Sequence, residues 1–112
     1  MKFLLRLAMI VGLAFATPAL SHPGHDDDVE PIARAAAEAE AQRAVQTMVR
    51  RKMLDASWAA RPPVDAELRH AGEGHQWRVI FTNPAAKDTA KRSLFVFLRA
   101  DGKYLTFNHT GK

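Results

Sequence analysis

The chain of 112 residues contains no cysteine. This absence excludes a disulfide-stapled miniprotein, a cysteine-ligated zinc finger and a lipoprotein anchored through a cysteine. Long apolar runs are also missing, because the longest, residues 7–16, has ten residues, whereas a helix needs about 20 to cross a bilayer. The length excludes a multidomain enzyme as well, since it suffices for one compact domain.

Catalytic motifs are absent from the sequence too. It has no serine elbow motif with histidine and aspartate partners, no H-E-x-x-H and no glycine-rich phosphate loop. We therefore expect a protein that is not an enzyme and requires no cofactor. Hydrophobic residues still make up 47% of the chain, which is enough to build a core.

Residues 1–21 have the organisation of a cleavable export signal. A basic start and the apolar run are followed by a proline, and Ala19-Leu20-Ser21 places small residues three and one positions before a cut. Cleavage after Ser21 makes His22 the new N-terminus, and cleavage after Ala19 is the alternative. We expect a periplasmic or secreted protein with no membrane span after cleavage.

Residues 22–30 form a stub, the segment between the predicted signal and the domain, that is rich in histidine and aspartate. The α-amine and ring of His22 can chelate a metal, and His25 adds a second imidazole. Asp26, Asp27 and Asp28 add carboxylate oxygens. Amine and imidazole donors favour Cu(II), Zn(II) or Ni(II) over Ca²⁺ and Mg²⁺. The alternative is a solubilising tail whose acidic residues favour the start of the next helix.

The segment from residue 31 to residue 54 predicts a long helix, because it is dense in strong helix formers. Pro31 suits the first turn, and the basic residues 50–52 suit the negative end of the helix dipole. Small and apolar residues fall on one stripe at helical spacing: Ala37, Ala41, Ala44, Val45, Met48, Val49 and Met53.

Two alternating segments, 64–70 and 75–82, predict a first β-hairpin around the loop 71–74. The predicted register pairs His70 with His75, Leu68 with Trp77, Ala66 with Val79 and Val64 with Phe81. The last three pairs each join two apolar side chains on the same side of the sheet, which supports this register. The histidine pair, beside Glu73, can hold a metal or respond to pH near 6.5, and the alternative is two simply exposed rings.

Segments 93–99 and 104–109 predict a second hairpin, closed by Asp101-Gly102 as a two-residue type I′ turn. The expected pairs are Leu98 with Leu105, Val96 with Phe107 and Leu94 with His109. We expect His109 to be a hydrogen-bonded histidine at the sheet edge rather than a metal ligand. We expect the basic residues 87–92 to form a solvated loop.

The predicted fold is α+β, with one long N-terminal helix packed on a four-stranded antiparallel sheet made of two hairpins, in a single domain over residues 31–112. Phe95, Phe97 and Tyr104 are then expected to form a second apolar face, which one helix cannot also cover. Either Trp58 and the connector Pro62-Pro63 fold over this face, or it contacts a protein partner or a second copy.

The chain resembles a family of small exported proteobacterial proteins described only as a domain of unknown function. The resemblance covers nearly all of the mature chain and is carried by the stub and by residues 54–58, 81–84, 91–98, 101–105 and 108–112. This resemblance implies a fold and export from the cytoplasm, and it implies no catalytic residue. The order of one helix and four strands also resembles the PepSY-type, cystatin-like arrangement, which implies a regulatory or interaction module.

The formal net charge of +4 is unevenly distributed. Residues 22–40 hold six acids and one base, whereas residues 41–112 hold thirteen bases and six acids. Export and the lack of aromatics within the basic loop argue against a nucleic-acid partner. We therefore expect a non-enzymatic transition-metal-binding accessory protein that uses the stub, and the alternative is a PepSY-like interaction module that uses the sheet.

Overall fold

A computed structural model describes residues 29–72 and 74–112. The predicted signal and most of the stub lie outside these residues. One helix and a four-stranded antiparallel sheet of strand order β1-β2-β3-β4 confirm the predicted α+β class. The elements are α1 (Arg34–Arg50), β1 (Asp65–Ala71), β2 (Gly74–Thr82), β3 (Ser93–Arg99) and β4 (Tyr104–Asn108), with single 3₁₀ turns at Ala56–Trp58 and Thr89–Lys91.

The main core lies between α1 and one face of the sheet. The helix contributes small residues near its start and larger ones near its end, and all four are buried: Ala37, Ala41, Val45 and Met48. The sheet contributes alternate residues of its central strands, among them Val79, Phe81, Leu94, Val96 and Leu98. Alanine at the crossing lets the helix backbone approach the sheet closely.

The predicted start of the helix is wrong by three residues. Pro31 does not lie in the first turn, because α1 begins at Arg34 after Ala33, which has no capping side chain. The backbone N–H of Ile32 instead donates to the carbonyl oxygen of Ala100 at 2.9 Å. This tertiary contact with the β3–β4 turn holds the chain extended where propensity alone predicts helix.

The register of the first hairpin is confirmed. His70 pairs with His75, Leu68 with Trp77, and Ala66 with Val79. Val64 lies before β1 and is 57% exposed, so it adds nothing to the core even though its N–H donates to the carbonyl oxygen of Ile80. The hairpin therefore matches the predicted pairing along its middle and differs at both ends, since the strands extend into the predicted loop 71–74, where Ala71 pairs with Gly74.

The turn of the second hairpin differs from the prediction. A type I′ turn needs positive φ at two residues, but only Gly102 has it here, with φ 96°. Hydrogen bonds from Gly102 N–H to Arg99 O and from Arg99 N–H to Lys103 O define a three-residue loop. Because the loop has one more residue than predicted, the strands contain a bulge, and Leu98 pairs with Tyr104 instead of Leu105. The predicted pair of Val96 and Phe107 is confirmed.

The bulge also moves Tyr104 away from Phe95 and Phe97. Residues paired across antiparallel strands lie on the same face, so Tyr104 shares the helix side with Leu98. The predicted face of Phe95, Phe97 and Tyr104 therefore does not exist as one surface. Trp58 does not cover the back either, because it belongs to the core cluster on the helix side.

Two arginines and the C-terminal segment cover the back face. The guanidinium of Arg69 lies 5.6 Å from the ring centroid of Phe97, and that of Arg78 lies 5.6 Å from the ring centroid of Phe95. Both arginines donate to the carbonyl oxygen of Gly111, Arg78 at 2.7 Å. As a result, Phe97 is only 3% exposed without a second helix or a partner.

The helix ends in a Schellman motif that is closed by a lysine. Met53 N–H donates to Met48 O at 2.8 Å, and Lys52 N–H donates to Val49 O at 3.0 Å. Lys52 has φ 64°, the left-handed conformation that glycine usually supplies at this position. A residue with a Cβ atom is strained there.

We predict that Lys52→Gly raises the free energy of unfolding by about 0.5–1 kcal/mol, because glycine adopts this conformation without strain. Arg51→Gly is the matched control, since Arg51 has φ −89°, and we expect it to lower stability. Urea unfolding of the two variants measures the difference. Equal losses of stability in both would contradict the assignment of strain to Lys52.

Candidate functional site

The stub joins the domain at one end of the sheet. His22, His25, Asp26, Asp27 and Asp28 all lie outside the described residues, and the first residue that the structure places is Val29. Val29 lines a recess of about 180 Å³ together with His75, Gln76, Arg99 and Ala100. The chain thus enters the domain beside the β1–β2 and β3–β4 turns.

The histidine pair lies at this same end of the sheet. The rings of His70 and His75 are 4.4 Å apart between centroids and tilted by 39°. Both residues are exposed, and cross-strand pairing fixes their backbones opposite each other. Glu73, which we expected to lie beside them, is not among the described residues. Within the described part of the chain, no group of three or more histidine, cysteine or carboxylate side chains could hold a metal.

A second concave region, the Asp55 cleft, lies at the other end of the core. It has a volume of about 410 Å³ and is lined mainly by residues 53–58, by residues of the 85–91 loop and by His109. Three segments that carry the family resemblance, 54–58, 81–84 and 108–112, meet at or beside it. Sequence spacing offered no sign of this convergence, because the segments are far apart in the chain.

A buried asparagine organises the wall of the Asp55 cleft. Asn83 is 0% exposed, and its amide nitrogen donates to the hydroxyl oxygen of Ser57 at 2.8 Å. Its side-chain oxygen accepts from the N–H of Ala85 at 3.0 Å. A buried amide is costly unless it is hydrogen-bonded, so these bonds tie the 3₁₀ turn at Ala56–Trp58 to the loop after β2.

Asp55 accepts a hydrogen bond from the backbone N–H of Ser57 at 2.9 Å. Hydrogen bonds from the Ser57 hydroxyl, and then from the Ser57 N–H, hold the pKa of Asp55 below its ordinary value. Asp55 thus caps the 3₁₀ turn at Ala56–Trp58, since aspartate side chains commonly bond to nearby backbone N–H groups in turns. The carboxylate therefore contributes a stable negative charge to the rim of the cleft.

His109 lies at the edge of the sheet and is hydrogen-bonded there, as predicted. Its Nδ1 lies 2.8 Å from the carbonyl oxygen of Ser93, and a carbonyl only accepts, so Nδ1 carries the proton. The ring contacts Phe107 edge-on, with centroids 6.4 Å apart. His109 also lines the Asp55 cleft.

Two of the basic side chains near the concave regions have hydrogen-bond partners. Arg99 donates to Asp101 at 2.8 Å, and this contact holds the pKa of Asp101 below its ordinary value. Arg92 donates to the carbonyl oxygen of Ala86 at 2.9 Å. Lys87 and Lys91 line the Asp55 cleft, and Asp55 and Asp88 line it too, so the cleft carries both signs of charge.

A family model described as a family of unknown function, DUF6488, matches residues 1–112. The chain belongs to DUF6488. The DUF6488 match therefore includes the predicted signal and the stub. None of the curated proteins and none of the solved structures compared with the chain matches it. Among residues 29–72 and 74–112, no helix is long and apolar enough to cross a membrane.

We predict that Asp55→Asn lowers stability at about pH 7 and that the difference from the natural chain is lost as pH falls below 3.8, the ordinary pKa of an aspartate. The folded-state pKa lies below the unfolded one, so the contribution is present above the unfolded value and is lost as pH falls through the folded value. Urea midpoints measured across this range test it. Asparagine retains the capping oxygen, so a difference that stays constant with pH would show that the charge is not responsible.

Proposed function

We propose that this DUF6488 protein is an exported, non-enzymatic accessory protein of the proteobacterial periplasm that binds a transition metal through its stub. Export would expose the α-amine of His22 after cleavage at Ser21. His25 and the three aspartates would supply the further donors. The observation that carries the proposal is that Val29, the first described residue of the stub, lines a recess that also contains His75.

The charge distribution supports the same proposal. Residues 22–40 carry six acids and one base, so a cation meets a negative segment attached to a mildly basic domain. Nitrogen donors favour Cu(II), and then Ni(II) or Zn(II), over hard cations. Pro23 has no amide proton, and the stub therefore binds through its amine and side chains rather than through the amide nitrogen of its second residue.

We predict that the mature protein, starting at His22, binds one equivalent of Cu(II) in calorimetric titrations and binds Zn(II) and Ni(II) more weakly. Substituting His22→Ala and His25→Ala together should abolish the heat. The matched control is a chain starting at Leu20, which keeps both histidines and loses the terminal amine of His22. It should bind more weakly than the mature protein. Absence of heat from the intact mature protein would rule out the proposal.

A PepSY-like interaction module is the second candidate, and its contact surface would lie at Tyr104 rather than at Phe95 and Phe97. Phe95 and Phe97 are covered by the arginines and the C-terminal segment. Tyr104, by contrast, is 43% exposed and borders a shallow and mainly apolar groove of about 260 Å³ against α1. Met53 and Leu105 are exposed near the same edge strand, and exposed apolar surface of this kind is typical of contact sites.

If β4 pairs with a second copy, Tyr104→Ser should shift the protein from dimer to monomer in concentration-dependent size-exclusion and crosslinking experiments. Thr106→Ser is the matched control on the same exposed strand and should leave the dimer unchanged. A monomer at all concentrations in the natural chain would remove the homodimer from consideration. If the Tyr104→Ser variant still forms a dimer, the surface around Tyr104 is not the dimer contact.

A further inference from the structure

We propose that the Asp55 cleft binds a small zwitterion with an apolar side chain, an amino acid or a short peptide. Its ammonium group contacts Asp55, and its carboxylate contacts Lys87 and Lys91. The inference does not depend on the proposed metal site, because the charged side chains on which it rests all belong to the described part of the chain. The cleft volume of about 410 Å³ lies within the range of small-molecule sites, about 300–1,000 Å³.

Apolar side chains form one part of the lining. Trp58 lines the cleft and is only 4% exposed, because it belongs to the core cluster. Leu54 also lines the cleft and packs against the same cluster, and Ala85 and Ala86 add small side chains from the loop after β2. Contact with these groups removes apolar surface of a ligand from water. The lining therefore favours a ligand with an apolar side chain.

Asp55 presents a fixed carboxylate to the cleft. The buried amide of Asn83 donates to the hydroxyl oxygen of Ser57 at 2.8 Å, and the N–H and hydroxyl of Ser57 in turn donate to Asp55. A carboxylate has about four acceptor positions, so Asp55, which is exposed, can accept further hydrogen bonds. An ammonium group brings three donors and a positive charge, and it is complementary to this carboxylate.

Lys87 and Lys91 bring positive charge to the same cleft. Both side chains are exposed and line it. Among residues 29–72 and 74–112, the ion pairs engage arginines and neither of these lysines. The pKa of Asp55 is lowered mainly by its hydrogen bonds with Ser57 and less by the positive charge of Lys87. The two opposite charges thus face a common space without a direct ion pair, which leaves room for a ligand between them.

Hydrogen bonds hold the loop that carries the two lysines. Its base is closed by the N–H of Asn83, which donates to the carbonyl oxygen of Arg92 at 2.8 Å. The side chain of Arg92 donates to the carbonyl oxygen of Ala86 at 2.9 Å. Asp88 caps the 3₁₀ turn at Thr89–Lys91 by accepting a backbone N–H bond at 3.0 Å. Because the loop is closed at its base and across its width, it keeps both lysines on one wall of the cleft.

The mixed charge of the cleft disfavours other classes of ligand. A simple anion that contacts the lysines also meets Asp55 and Asp88, whose like charge opposes it. A metal ion is not favoured either, because no group of three or more histidine, cysteine or carboxylate side chains in the described part of the chain could hold one. A ligand that carries both charges is complementary to both walls.

The test titrates the metal-free mature protein with the dipeptide leucyl-leucine and follows its backbone amides by two-dimensional NMR. We expect saturable shifts at the cleft, for example at Ser57 and Ala85, and none at His75. Acetylation of the peptide removes its ammonium group, and amidation removes its carboxylate. Each should weaken binding about fivefold, the effect of one solvent-accessible charge pair. Free leucine is the fourth probe: binding equal to that of the dipeptide assigns the site to amino acids, and weaker binding assigns it to peptides.

Matched variants, compared where circular dichroism shows them folded, locate each charge. Asp55→Asn keeps the capping oxygen and should weaken binding of leucyl-leucine about fivefold, while binding of the acetylated peptide stays unchanged. Lys87→Gln/Lys91→Gln should weaken binding of leucyl-leucine and leave that of the amidated peptide unchanged. The control is Lys103→Gln/Lys112→Gln, which removes two lysines outside the lining of the cleft and should bind like the natural chain.

The outcomes decide the proposal independently of the metal site. Equal binding of leucyl-leucine and its two capped forms would overturn it, because the cleft would then not recognise the charges of the ligand. A lack of saturable shifts with both leucyl-leucine and leucine would also overturn it. Neither result bears on Cu(II) binding by the stub, which the calorimetric titration measures. Shifts confined to the cleft, together with charge-specific losses in the matched variants, support the zwitterion site.

Discussion

The central constraint on this fold is that strand β3 is apolar on both faces, while residues 29–72 and 74–112 contain one α-helix. Leu94, Val96 and Leu98 face α1, and Phe95 and Phe97 face the other way. The second face is covered by arginine stems, whose aliphatic parts pack on apolar surface while their charged ends find partners. Those ends meet the Gly111 carbonyl oxygen, and Arg78 also pairs with Glu67.

Because the back face is closed in this way, the concave regions of the described residues lie at the ends and edge of the sheet. At the turn end, the incoming chain at Val29, the histidine pair and the β3–β4 turn lie together. At the other end, Asn83 connects the Asp55 turn to the loop after β2 and forms a polar wall beside Trp58 and His109. Both regions are made where strands stop and loops begin, which is where a rigid sheet most often carries function.

Part of the site was predictable from residue types and part was not. The donors of the stub and the cross-strand pairing of His70 with His75 follow from composition and from the alternation of β1 and β2. The position of Val29 beside His75 does not follow, because it depends on where the chain enters the domain, and Ile32 sets that entry through its bond to Ala100. The role of Asn83 was missed entirely, since a lone asparagine before a proline predicts a turn and carries no sign of burial.

The sequence by itself determined the helix, the four strands and the pairing within the first hairpin, because helical spacing, alternation and turn residues act over a few neighbouring positions. Only the tertiary structure decided where the helix begins, which side Tyr104 occupies and what covers Phe97. Ile32 contacts a turn almost 70 residues away in the chain. A bulge between the pairs of Phe97 and Leu98 reverses the side on which Tyr104 lies, and Gly111 bridges two arginines from β1 and β2. Each of these depends on packing between distant segments, whose energy is not contained in any local pattern.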